Sequence, residues 1–174
     1  MEINLVEDRK KIEAYVKERV EGYSSRSIPQ LGNCGNPLTM VTFGYQVCQA
    51  GLVALVFDTR KDAEPDGEWT MAFEDVMLEF GSWYQALDEA YENESYVDVL
   101  KLDGEKIRVA YDDESTCISS MIGEMLKGIL LSVESDIQNL SVTQGLLLSV
   151  EDFDGCYGWQ NLRKGFPTVS LNHS

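Results

Sequence analysis

Polar and apolar positions along this chain follow two rhythms, a helical one and a two-residue alternation, and the switches between them mark out the elements. Leu5, Ile12, Val16, Val20 and Tyr23 recur at helical intervals behind Asn4 and Glu7, a capping-pair spacing that predicts an amphipathic helix over 5–23. Arg9, Lys10, Lys11, Lys17 and Arg19 mix there with Glu13 and Glu18, as on a solvated face. A loop over 24–37 follows, marked by Pro29, Pro37 and two glycines. Val41, Phe43, Tyr45 and Val47 then alternate with Met40, Thr42, Gly44 and Gln46, which is a strand with one apolar face. The next run, LVALVF over 52–57, is apolar throughout and too short to cross a bilayer. It reads as a strand buried on both faces at the centre of a sheet. With Gln49-Ala50-Gly51 near the turn, the two strands make a hairpin.

Past the turn residues Pro65, Asp66 and Gly67, a short strand is predicted over 69–73 and a second helix over 74–93. Val76, Met77, Phe80, Trp83, Tyr84, Leu87, Ala90 and Tyr91 form its broad apolar stripe, read as core. Asp75, Glu79, Asp88, Glu89 and Glu92 occupy much of the remainder. They lack the i,i+4 basic partners that support an exposed helix, a mild cost that points to a function. A second hairpin spans 96–111 around the two-residue turn Asp103-Gly104. Ile118, Met121, Ile122, Met125, Leu126, Ile129 and Leu130 predict a third helix over 116–133, with Asp112, Asp113 and Glu114 suited to its N-terminus. The apolar run over 140–150 is the final strand, and 161–174 is a tail expected to fray. The sum is a single α+β domain over 1–160. Its antiparallel sheet is built from two hairpins plus a late strand, covered by about three amphipathic helices.

With 44% hydrophobic and 25% charged residues in 174, the chain has the composition of an ordinary globular protein and can bury a full core. The charge is less ordinary: 14 basic residues against 30 acidic give −16. Residues 1–57 are balanced, whereas 58–98 carry thirteen acids and two bases, net −11, and 99–174 carry eleven acids and six bases, net −5. Such a field repels nucleic-acid phosphates and anionic membranes and attracts cationic surfaces. Neither nucleic acid nor membrane is an expected partner. The opening MEINLVEDRKK has no apolar h-region, so the expected compartment is the cytoplasm. Cys34, Cys48, Cys117 and Cys156 are scattered without a C-x-x-C pair, as reduced thiols would be, and no zinc spacing is present.

The one histidine, His173, sits next to the C-terminus, a poor place for a catalytic base, and multi-histidine zinc sites are impossible. No phosphate-cradling glycine motif occurs. Asp152-x-Asp154-Gly155 lacks the acids that a calcium loop needs at Val150 and Asn161, and reads as a turn. No catalytic residue, metal ligand or cofactor is assigned. The expectation leans away from an enzyme.

The helix, LVALVFDTR, the acidic segment GEWTMAFEDVMLEF, the helix CISSMIGEMLKGILLSV and the closing LLLSVEDFDG together resemble uncharacterised bacterial domains found among the immunity proteins of polymorphic-toxin systems. The resemblance implies a small acidic protein that neutralises a toxin by occupying its basic surface. From the residues themselves, a binding module would present Asp62, Glu64, Asp66, Glu68, Glu74, Asp75 and Glu79 to a basic protein. The alternative is a small-ligand binder or enzyme with a pocket between the 24–37 loop and the sheet, walled by Tyr45, Trp69 or Tyr111. An acidic surface that only keeps the protein soluble is the third reading.

Overall fold

The computed structural model of the chain describes residues 2–25, 37–48, 51–59, 77–111, 114–140, 142–153, 158–160, 162 and 169–171. Their order is β1 (Glu2–Asn4), α1 (Leu5–Ser25), β2 (Leu38–Gln46), β3 (Leu52–Asp58), β4 (Leu78–Glu79), α2 (Gly81–Glu92), β5 (Tyr96–Leu100), β6 (Lys106–Ala110), α3 (Glu114–Ser132), α4 (Glu134–Gln138), β7 (Val142–Asp152), β8 (Gly158–Gln160) and β9 (Val169–Leu171). The fold is α+β and its pairings are mostly antiparallel, as the patterns predict. The single expected sheet is instead two, ordered β1-β5-β6 and β4-β3-β2-β7-β8-β9, and each hairpin goes to a different one.

The two hairpins differ because their strands differ in pattern. β2 and β3 pair antiparallel from Met40 opposite Asp58 to Gln46 opposite Leu52. On the far side of β2 lies β7, parallel to it, with Val41 beside Leu148 and Tyr45 beside Asp152. LVALVF is therefore second from the β4 edge, while β2 and β7 hold the middle of the six strands. Residues 53–58 are nonetheless all buried, as an unbroken apolar run requires. Phe43, Tyr45, Leu55, Phe57, Leu148 and Val150 join Ile12 and Val16 of α1 and Ile118, Ile122 and Leu126 of α3 in the main core. Met40, Val56 and Leu147 form a second cluster, and beside them the buried Thr42 and Ser149 hydroxyls meet at 2.5 Å.

The smaller sheet alternates strictly. Ile3, Val97, Val99 and Val109 point into the core, whereas Glu2, Asp98, Lys106 and Arg108 lie toward solvent. There Lys106 donates to Glu2 and Arg108 Nε to Asp98, both at 2.7 Å. The Arg108 hydrogen bond holds the Asp98 carboxyl below its usual range. The two-residue turn expected at Asp103-Gly104 is a longer loop: Leu100 stands opposite Lys106, and the Lys101 N–H donates to the Glu105 carbonyl. Asp103 accepts the Glu105 N–H at 3.0 Å, an Asx-type bond that competes with a tight hairpin.

The second helix starts later than its pattern suggests. Leu78 and Glu79 are drawn into β4, opposite Val53 and Leu52, and the Phe80 N–H donates to the Gly51 carbonyl at 2.6 Å. Gly51 has φ +61°, and a Cβ there would overlap the Phe80 carbonyl oxygen, so only glycine fits this crossing. Starting at Gly81, α2 buries the narrower stripe Trp83, Ala86, Leu87 and Ala90. Tyr84 and Tyr91, read as core, are exposed instead. Within 161–174 the described residues are 162 and 169–171: Leu162 is buried with its N–H donating to the Leu148 carbonyl at 3.0 Å, and β9 pairs with β8. The predicted strand over 69–73 lies outside the described residues, as does most of the 24–37 loop. Among the described residues no helix is long and apolar enough to cross a membrane.

Candidate functional site

The outer face of α2 is the most distinctive surface, and it is presented by a firmly held inner one. Asn4 caps α1 by accepting the Glu7 N–H at 3.1 Å, which sets the first turn and turns Asp8 inward among Leu5 and Ile12. Asp8 is 4% exposed, and the Trp83 indole Nε1 donates to its carboxylate at 2.7 Å. Burial pushes the Asp8 carboxyl above its usual range, partly offset by the indole hydrogen bond and by Lys11 at 3.9 Å. Trp83 also stacks on Phe80, centroids 4.3 Å apart. The Asp8–Trp83 hydrogen bond joins α1 to α2 and fixes which side of α2 faces water.

On that wet side Tyr84, Asp88 and Tyr91 fall at i, i+4 and i+7, flanked by Gln85, Glu89 and Glu92. Tyr84, Tyr91 and the following Tyr96 are 40%, 69% and 60% exposed, a large aromatic area for water to cover. Tyr91 meets Tyr111 edge-on at 6.5 Å, and the Arg108 guanidinium lies 5.9 Å from the Tyr96 ring centre. No Lys, Arg or His stands anywhere between Asp62 and Leu100. Among the described residues no cation lies within ion-pair distance of Asp88, Glu92 or Glu94. Elsewhere cations have local acids: Arg9 meets Glu13 at 2.7 Å, Lys10 meets Glu7 at 2.7 Å and Lys127 meets Glu124 at 3.2 Å.

Of the acids singled out in the sequence, Glu79 is exposed on β4, while Asp62, Glu64, Asp66, Glu68, Glu74 and Asp75 lie outside the described residues. So do Trp69, Cys34, Cys156 and His173. Cys48 and Cys117 are half-buried. Tyr45 is fully buried: its hydroxyl donates to the Ser119 carbonyl at 3.0 Å and lies 3.3 Å from the Ser119 hydroxyl, which donates to the buried Asp152. Asp152 ends β7, and Asp154 and Gly155 lie outside the described residues. Tyr111 is half-buried after β6 in the other sheet.

Two features escaped the sequence reading. Asp8 gave a usable signal, since it falls between Leu5 and Ile12 on the apolar stripe of α1. The other is a groove of about 610 Å³ between α1 and α4, floored by Val20, Val133 and Leu140. Nothing in a periodic pattern announces it, because α4 is only five residues long. No family model matches the chain, and no curated protein or solved structure matches it.

Proposed function

We propose that this chain is a non-catalytic binding module whose acidic, tyrosine-bearing face on α2 docks a basic protein. The observation that carries the reading is Asp88 and Glu92 sharing the exposed side of α2 with Tyr84 and Tyr91, with no described cation in reach of those carboxylates. Tyrosine gives large contact area at low entropic cost and is enriched where binding energy concentrates. A guanidinium can stack on such a ring while its fork meets a neighbouring carboxylate. The negative field speeds encounter with a cationic surface and weakens with salt. The finer reading follows the resemblance in sequence: an immunity-type inhibitor that occupies the basic surface of a toxin in a bacterial cytoplasm.

The test is affinity capture from the source cell's lysate at about 50 mM and about 500 mM salt, where the screening length falls severalfold. It compares the wild type with an Asp88→Lys, Glu92→Lys double variant. The expected result is a basic protein held by the wild type at low salt, released at high salt and not held by the variant. A partner that ignores both salt and charge reversal would overturn the reading, as would the absence of any captured protein.

A further inference from the structure

The groove between α1 and α4 lies apart from the acidic outer face of α2 and is built differently. Its volume, about 610 Å³, is in the range of small-molecule and side-chain sites. Val20, Val133 and Leu140 line it with apolar surface, and Glu13, Lys17, Glu21 and Asp136 supply its charges. Two of the three carboxylates have cations nearby. Glu13 takes the Arg9 Nε at 2.7 Å, and Lys17 comes to 4.0 Å of Glu21. Asp136 has no cation within ion-pair distance among the described residues, so the groove is left with one negative charge above an apolar lining. That combination fits a single positive charge on an aliphatic stem, because the stem can cover Val20 and Leu140 while the head keeps contact with water and with Asp136.

We propose that this groove is an anchor site for one lysine or arginine side chain offered by a protein partner. The assignment does not depend on the α2 face, although one basic partner can use both. Acetyl-arginine methylamide serves as the probe, acetyl-citrulline methylamide as its uncharged twin, and the methyl NMR signals of Val20, Val133 and Leu140 as the readout. A ligand of this size is expected to saturate the signals with Kd of about a millimolar. Replacing its guanidinium by the citrulline urea, or making Asp136→Asn in the protein, is expected to weaken binding about tenfold. Asp88→Lys should leave the titration unchanged, so a failure of the α2 reading and a failure here are distinguishable. Equal shifts with both probes, no saturable shift, or full binding by a folded Asp136→Asn protein would overturn the assignment.

Discussion

α1 and α2 share a buried seam through Asp8 and Trp83, yet their wet sides are composed differently. Along its 21 residues α1 couples Lys10 to Glu7, Lys11 to Asp8, Arg9 to Glu13 and Lys17 to Glu21, each three or four positions apart. In its 12 residues α2 has no basic side chain, and Asp88 and Glu92 repel each other at i,i+4. Asp88, Glu89 and Glu92 also crowd toward the helix C-terminus, where the helix dipole disfavours anions. Both helices bury an apolar inner stripe, so folding does not require the outer acids of α2. Asp88 and Glu92 therefore cost the helix stability, a cost that a basic partner would offset on binding in the function proposed above.

The largest way to break this arrangement is Gly51→Ala. With φ +61° and the Phe80 carbonyl in the way, the substitution should cost about 2–3 kcal/mol in urea unfolding and loosen the entry to α2. Unchanged stability would mean that the crossing does not position the helix.

Next comes the seam itself. The folded pKa of Asp8 is raised by burial, so below the ordinary carboxylate range both folded and unfolded states are protonated and no stability is lost. As pH rises through the unfolded and then the folded value, the unfolded state releases its proton more easily and folding is penalised. Asp8→Asn keeps an oxygen for the indole and removes that penalty. It should stabilise the protein by on the order of 1 kcal/mol at pH 7 and by nothing near pH 3. A melting series that shows the variant weaker at neutral pH would contradict this account.

The smallest effect sharpens the comparison most. Glu92→Lys gives α2 the kind of i,i+4 pair that α1 has, with Asp88 as its partner, and places a cation near the C-terminus. The melting temperature should rise by about 1–2 °C at low salt, less at high salt, while capture of the basic partner falls. A variant both less stable and equally good at binding would remove the argument that these acids serve a partner.

Much of the architecture was legible because periodicity reports burial. The α1 pattern, the Asn4 cap, the β2 and β3 hairpin and the α3 stripe all appear where the residues place them. What periodicity cannot report is which strands become neighbours. β1 is three residues long, too short for a pattern, and its pairing beside β5 makes the separate small sheet. The start of α2 was misplaced because Leu78 fits either rhythm, and the choice is made by β3 and Gly51, distant in sequence. Of the candidate site, Asp88 and Glu92 were legible as acids in a stretch that holds no basic residue. Tyr84 and Tyr91 were not visible as surface, since an aromatic beside an apolar stripe looks like part of it.

The adjacency of β2 and β7 also governs how the molecule is made. Thr42 and Ser149, touching in the finished sheet, are 107 positions apart. A ribosome delivers the β2 and β3 hairpin long before β7 exists, so the β7-facing edge of β2 waits for its partner while the residues between them are synthesised. Parallel pairing at such separation is slow and leaves sticky intermediates. The native pairing of β2 is completed only once β7 has left the ribosome.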